Sequence, residues 1–336
     1  GDLVGRRANE ERRGQEMDID NRRFRFGVLG ESAASGKQLL EEARRAEDLG
    51  YATFLLRDHF VADPFGPQLA PLPALTAVAA ATSRLRIGTL VLDNDYRHPV
   101  ILAKEAATLD HLSGGRLELG IGAGWLRDEY DRAGMTFDPP GVRVGRLEEA
   151  LRLLKGLLSG SAVTVVGTHY SVSGLDTFPE PAQRPRPPIL VGAGSRRMLG
   201  IAGREADIIG ILPKALPGGT ISDDLAERTP ETVARNVEWV RAAAGARFDE
   251  VELSMVISPD ITDDHYGAAE RYAAEHGWGI AAADRVLEMP STFVGPVARI
   301  VDDMLARREQ YGFSYYVVSD QDLDAFGPVV ERLAGR

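Results

Sequence analysis

The stretch FRFGVLGESAASGKQLLEEARRAEDLGYATFLLRDH, residues 24–59, holds one full cycle of the pattern that decides the fold. Phe24–Leu29 is a short β-rich run. The period then changes: Leu39, Leu40, Ala43, Ala46 and Leu49 make one apolar stripe of a helix running from about Gly36 to Leu49, with Glu41, Glu42, Arg44, Arg45 and Asp48 outside it. Gly50 supplies the C-cap, and Thr53–Leu56 returns to extended character. A strand, a helix and a second strand in so short a span read as a βα unit of a parallel sheet.

Outward from this stretch the unit recurs. The sequence predicts a helix over Leu72–Ala81, a strand over Leu85–Leu92, and a helix over Val100–Leu112 that ends in Ser113-Gly114-Gly115. Leu117–Ile121 follows as a strand, and Val144–Leu158 as a helix with Leu147, Leu151, Leu154 and Leu158 at helical spacing. Strands at Ile189–Val191, Ala206–Leu212, Val251–Ile257 and Ser314–Val318 bring the count to eight, with helices at Arg196–Arg204, Glu231–Ala244 and Pro296–Tyr311 among them. Eight such units in 336 residues predict an α/β fold, a (β/α)8 TIM barrel, in preference to an open doubly wound sheet with fewer strands. Extra length near 125–143, 159–188, 213–230 and 259–290 is expected at the C-terminal face, where it shapes a substrate mouth. Within the second of these, Val163–Val166 and His169–Val172 read as a hairpin outside the barrel, and Arg184-Pro185-Arg186-Pro187-Pro188 as a stiff lead into the fifth strand. Residues 24–336 are expected to form one domain, preceded by a flexible extension over 1–23 that alternates acid and base without apolar period.

Composition narrows the function. Hydrophobic residues make up 44% of the chain, enough for a large core. There is no Cys, so disulfides, thiolate nucleophiles and Cys-ligated metals are excluded. Asp and Glu outnumber Lys and Arg by 50 to 39, and a net charge of -11 disfavours nucleic acid and anionic membranes as partners. No apolar run is long enough to span a bilayer, and no secretory signal pattern opens the chain, so the expected location is the cytoplasm.

Barrel enzymes place their chemistry just past the C-terminal ends of the strands. There the sequence offers Glu31, Asp58-His59, Asp93, Gly122-Ala123-Gly124-Trp125, Gly192-Ala193-Gly194-Ser195 with Arg196, Lys214 and Asp320. A strand-end His beside a carboxylate can give or take a proton near neutral pH, although an isolated His is often structural. Gly192 to Arg196 has what a phosphate site needs, namely small residues, a helix N-terminus, a hydroxyl and a cation. The same residues would also serve as an ordinary strand-to-helix turn. The glycines around Gly122 suit a flat ring lying against backbone, walled by Trp125, and equally suit a crowded barrel corner with a core Trp. The six His residues are scattered and no H-E-x-x-H occurs, so no metal site is expected.

Through these residues the chain resembles the bacterial luciferase-like oxidoreductase superfamily. The resemblance is carried by Ala46-Glu47-Asp48-Leu49-Gly50-Tyr51 leading to Asp58-His59, by Arg86-Ile87-Gly88-Thr89-Leu90-Val91, Arg97-His98-Pro99 and Glu105-Ala106-Ala107-Thr108-Leu109-Asp110, and by Ser113-Gly114-Gly115-Arg116-Leu117 and Gly120-Ile121-Gly122-Ala123-Gly124-Trp125. It covers most of Phe24 to Gly210, resumes at Phe293-Val294-Gly295, and is greatest with the branch that uses the deazaflavin coenzyme F-420. The resemblance implies a dimeric TIM-like barrel with the cofactor ring at the C-terminal mouth. Asp58 and His59 would flank the ring, Leu90-Val91 would carry a supporting non-proline cis peptide, Gly122 to Trp125 would line the pocket, and Gly192 to Ser195 would take the cofactor phosphate. Members that resemble sugar-phosphate dehydrogenases carry an acid where this chain has Trp125. That departure argues against glucose 6-phosphate as substrate and makes His59, or Glu31, the candidate proton donor.

The expected activity is hydride transfer between coenzyme F-420 and a small organic substrate, with Trp278, Tyr266 and Tyr272 hinting at an apolar or aromatic one. The alternatives are an FMN-dependent monooxygenase that uses O₂ and reduced flavin, a flavin-binding barrel without turnover, and a metal-dependent hydrolase.

Overall fold

A computed structural model describes residues 22–336. The expected extension therefore lies outside the described residues, apart from Arg22 and Arg23. Arg22 is docked, donating to the Phe248 carbonyl at 2.6 Å.

The sheet is a closed, all-parallel, eight-stranded barrel. Its strands in chain order are β1 (Arg25–Leu29), β2 (Thr53–Leu56), β3 (Arg86–Thr89) continued by β4 (Leu92–Asp93), and β5 (Leu117–Gly122). A hairpin of β6 (Val163–Val166) and β7 (Ser171–Leu175) stands outside, and the barrel resumes with β8 (Ile189–Ala193), β9 (Ile208–Ile211) and β10 (Glu252–Val256). A parallel pair, β11 (Ser258–Ile261) and β12 (Thr292–Gly295), leaves the barrel before β13 (Phe313–Ser319) closes it against β1. The ring of pairings runs β1-β2-β3-β5-β8-β9-β10-β13 and back to β1.

Around it lie α1 (Gly36–Asp48), α2 (Pro71–Ala81), α3 (Pro99–Leu112), α4 (Arg127–Ala133), α5 (Pro140–Leu158), α6 (Arg196–Glu205), α7 (Pro230–Ala244), α8 (His265–Glu275), α9 (Ala283–Glu288), α10 (Val297–Tyr311) and α11 (Leu323–Leu333). Local chemistry sets their starts. Ser35, Ser195 and Thr229 accept backbone N–H groups as N-caps of α1, α6 and α7, while α2, α3, α5 and α7 begin with Pro, whose missing N–H has no partner to lose there.

Several expectations are corrected. The predicted single strand Leu85–Leu92 breaks at a cis Leu90–Val91 peptide. Across the break, the Thr89 hydroxyl donates to the Gly120 carbonyl at 2.7 Å and accepts the Gly120 N–H at 2.9 Å, so a side chain substitutes for a rung of the ladder. The second hairpin strand starts at Ser171, later than expected, because the Glu149 carboxylate holds the N–H groups of Thr168, His169 and Tyr170 in the turn. The stretches near 125–143 and 259–290 contain α4, α8, α9 and β11, and a closing helix, α11, accommodates Pro328 inside it.

Three apolar clusters result. The largest packs the helices onto the outside of the sheet, a small one of Ala269, Ala273, Ala283, Val286 and Met289 joins α8 to α9, and Leu29, Leu55, Leu190, Ile208, Tyr315 and Val317 fill the barrel interior. Beneath them, at the N-terminal ends of the strands, Glu118 pairs with Arg25 and with Arg86 (2.7 Å), accepts from the Tyr315 hydroxyl at 3.2 Å, and shares Arg25 with Glu252. Burial alone would raise the Glu118 carboxyl, but the two guanidinium groups outweigh it and hold it below its ordinary range. The barrel floor is therefore an ionic plug, and the chemistry is left to the opposite end.

Candidate active site

A cavity of about 460 Å³ opens at the C-terminal mouth. Of the residues singled out in the sequence, Asp58, His59, Leu90, Val91, Asp93, Gly122, Ala123, Gly124, Trp125, Gly192, Ala193, Gly194 and Ser195 all line it. Arg196 and Glu31 do not. Arg196 points over the Trp239 ring on the outer surface, 5.5 Å from its centroid. Glu31 is turned aside into an ion pair with Arg57, and Arg57 takes the place on the cavity wall.

His59 is held from a direction the sequence did not suggest. Adjacent residues of an extended segment face opposite ways, so Asp58 cannot serve its neighbour. Asp58 instead accepts both arms of Arg97, at 2.7 and 3.3 Å, and the N–H of Asp93 at 3.1 Å, tying the end of β2 to the chain ahead of α3. The carboxylate that meets His59 belongs to Glu129 on α4, whose Oε2 lies 3.0 Å from His59 Nδ1. Glu129 is 2% exposed, receives the backbone N–H groups of Phe60 and Val61 (the latter at 3.2 Å), and accepts from the Tyr96 hydroxyl at 2.8 Å. With its acceptors filled, Glu129 is fixed, and a carboxylate accepting at Nδ1 leaves Nε2 as the ring nitrogen free for the cavity. Phe65 and the edge of Trp125 stand 5.3 and 5.8 Å from the imidazole, so Trp125 walls the cavity and offers no acid-base group.

The ledge beside them is made from backbone. Gly122 pairs with Asp93 across β4 and β5, and a side chain at Gly122 would press on Val91, 2.9 Å away. Gly124 has φ of +79°, and a Cβ there would strike the Tyr130 hydroxyl and the Asp93 carboxylate. Only glycine leaves this surface flat. Asp93 lies just behind it, 8% exposed, accepting from the Tyr130 hydroxyl at 2.7 Å and the Asp95 N–H at 2.8 Å. Burial, opposed by those hydrogen bonds, pushes its carboxyl up to about 7. Across the cavity Ser195 caps α6 by accepting the Met198 N–H at 3.4 Å, which leaves the N–H groups of the first turn directed at the mouth.

The insertions supply the remaining wall, with Leu216, Ile221, Arg228, Tyr272 and Ser291 reaching the cavity from the segments around 213–230 and 259–290. Trp278 and Tyr266 do not line it; Trp278 packs on Tyr272 and His276, and Tyr266 is exposed. Among the described residues no three His, Asp or Glu side chains gather as a metal site, and no helix is long and apolar enough to cross a membrane.

A family model for luciferase-like monooxygenases matches residues 23–289. The chain belongs to that family. It is an oxidoreductase of this type, and its closed barrel is that of other luciferase-like proteins. In sequence it is similar to the F-420-dependent glucose-6-phosphate dehydrogenase of Microbacterium testaceum, 32% identical over 252 residues that cover 74% of this chain and 71% of that protein. In shape it is similar to the F-420-dependent tetrahydromethanopterin reductase of Methanopyrus kandleri, with a TM-score of 0.72 at 19% identity, covering 93% of this chain and 99% of that one. A long-chain alkane monooxygenase has the same TM-score at 16% identity, over 93% and 91% of the two chains. At such identities these likenesses speak for the luciferase-like barrel, which supports both kinds of chemistry.

Proposed function

We propose that this luciferase-like oxidoreductase holds coenzyme F-420 against the ledge of Leu90, Val91 and Gly122 to Gly124 and transfers a hydride between it and a small organic substrate. The single observation that carries the reading is His59 beside that ledge, its Nδ1 fixed by buried Glu129 and its other nitrogen left to the cavity. The donor set suits the cofactor: a flat glycine surface for a ring, and the first turn of α6 for its phosphate. The named relatives support the deazaflavin in preference to FMN. When bound, the deazaflavin supplies a two-electron hydride donor or acceptor at C5 of its ring.

The chain's own part is orientation and the proton. With Glu129 accepting at Nδ1, neutral His59 presents a basic Nε2, which takes the proton of a substrate hydroxyl as hydride leaves the carbon; in the reverse direction the imidazolium returns it. Phe65 and Trp125 exclude water from that corner and present an apolar, aromatic surface to the substrate. Because the wall nearest His59 carries these rings and no acid at Trp125, the substrate is read as apolar or aromatic and not as glucose 6-phosphate. A homodimer completes the proposal.

The test is the absorbance spectrum and mass of the cofactor that copurifies from a host making both flavin types, followed by turnover. A deazaflavin spectrum with oxygen-independent hydride transfer is expected. FMN with oxygen consumption, and no affinity for the deazaflavin, would establish the monooxygenase reading instead.

A further inference from the structure

Two charged side chains of the cavity wall, Arg143 and Asp93, have no ion-pair partner among the described residues. Arg143 directs its donors to the carbonyl oxygens of Asp138 and Gly124. Asp93 meets a tyrosine that a second carboxyl also contacts. The Tyr130 hydroxyl oxygen lies 2.7 Å from Asp93 Oδ2 and 2.9 Å from Asp95 Oδ2. A phenol has one proton to donate, so with both carboxylates ionised one of these contacts would set oxygen against oxygen with no hydrogen between them. Tyr130 is fully buried, which makes an unmade bond there costly. Both contacts are filled when one carboxyl is neutral: it donates to the hydroxyl oxygen, and the hydroxyl donates to the other.

Charge decides which carboxyl that is. Asp95 accepts Arg146 at 2.8 Å and stays ionised. Asp93 has no guanidinium, and burial raises its carboxyl to about 7. The groups packed around it do not reverse this. On its own turn lie Asp95 and Tyr96, and Tyr96 donates to Glu129 of α4 at 2.8 Å. From the end of β2 comes Asp58, which accepts the Asp93 N–H at 3.1 Å and is paired with Arg97. α4 also contributes Tyr130, and α5 contributes Arg143 and Arg146, the latter held by Asp95 and Asp138. Asp58 and Asp95 raise Asp93 further, and among the described residues no cation is left to keep it ionised.

The same carboxyl stands directly against the ledge, since a Cβ on Gly124 would strike both of its oxygens. A ring lying flat on Gly122 to Gly124 therefore feels its charge at short range and with little screening. A ring that accepts a hydride gains one negative charge unless a proton follows, and a second negative charge behind the ledge repels it.

We propose that Asp93 is a specificity-determining residue for the redox state of the ring: neutral, it lets the ledge hold the hydride-bearing, anionic ring, and ionised, it weakens that binding. This rests on the reading that a deazaflavin or flavin lies on the ledge. A bound anion holds the proton on Asp93 more tightly, so affinity is full while Asp93 is neutral and falls as pH rises through the value of the free protein.

The experiment titrates the intact protein with chemically reduced coenzyme F-420 under argon, read by tryptophan fluorescence, in wild type and Asp93→Asn at about pH 6 and about pH 8, on either side of the Asp93 value. The amide mimics the neutral acid, because its NH2 donates to Tyr130 while its oxygen keeps the Asp95 N–H. Dividing the two dissociation constants removes the titration of the ring itself, which both proteins share. The ratio of wild type to variant should be about one at the lower pH and roughly tenfold higher at the upper. A ratio that does not change with pH overturns the proposal. If Asp93→Asn does not fold, NMR of the wild type carrying isotope-labelled Asp carboxyls decides. One carboxyl should titrate at about 7 in the free protein and about one unit higher with the reduced ring bound, and the absence of any such upward move overturns the proposal. If only FMN binds, reduced FMN takes the place of F-420; the deazaflavin reading then fails while the same ratio judges Asp93. If no ring compound binds at either pH, the functional reading and the proposal fall together, an outcome distinct from ring binding with a constant ratio.

Discussion

Glu129 and His59 stand 70 residues apart in sequence and 3.0 Å apart in the fold, and every other acceptor contact of Glu129 serves to keep that pair in register. Replacing His59 by Ala should lower turnover about a hundredfold or more if it moves the proton. Glu129→Gln should cost roughly 10- to 100-fold in kcat with little change in KM, because its proposed part is to position His59. Combined, the two losses should be far from additive, since both act through one imidazole. Steady-state kinetics of the two single variants and the double variant checks this, and additive losses would separate Glu129 from the proton step.

Asp93 makes the fold sensitive to pH in a defined direction. Its carboxyl is raised to about 7 in the folded chain by burial, so the folded state binds a proton that the unfolded chain releases near pH 4. The stabilisation from this group is complete below the unfolded value and is lost as pH rises through the folded one. Relative to Asp93→Asn, the wild type should therefore lose up to about 4 kcal/mol between pH 4 and pH 8. Denaturant melts of both proteins across that range would show it, and parallel pH curves would refute it.

The ledge should tolerate no side chain at Gly124. A Cβ there meets the Tyr130 hydroxyl and the Asp93 carboxylate while φ stays at +79°, a conformation that L residues rarely adopt. Gly124→Ala is expected to lower stability by about 1–3 kcal/mol and to weaken cofactor binding. Thermal unfolding and a cofactor titration of the same sample measure both effects.

The ionic plug should behave as a unit. Glu118→Ala leaves Arg25 and Arg86 facing each other in the barrel floor without their shared acceptor, and a loss of about 3–5 kcal/mol is expected. Equilibrium unfolding measures it. Cofactor affinity of the folded fraction should not change, because Glu118 lies at the end of the barrel away from the cavity.

Much of the fold was legible because the βα period repeats and apolar stripes announce themselves. The eight barrel strands came from alternating segments such as Phe24–Leu29 and Leu117–Ile121, and the ledge came from glycines at a strand end. Glu129 was not legible. It lies in the strongly charged run RDEYDRA of α4, which reads as solvated, and its partners Phe60, Val61 and His59 come from another loop. The apolar pair Leu126 and Tyr130, bracketing Glu129 at helical spacing, was the available sign that one face of this short helix turns inward. Arg57 escaped notice because only the fold reveals that it displaces Glu31 from the wall. The final helix was hidden by Pro328, although a barrel of eight repeats itself demands a helix after the last strand.

The plug of Arg25, Glu118 and Glu252 has a kinetic consequence. With one end of the barrel bolted by charges, molecules entering the cavity share a single doorway at the other. On the proposed placement of the cofactor against the ledge, exchange should follow a queue, and product-inhibition patterns are expected to show compulsory ordering with the organic compound last in and first out.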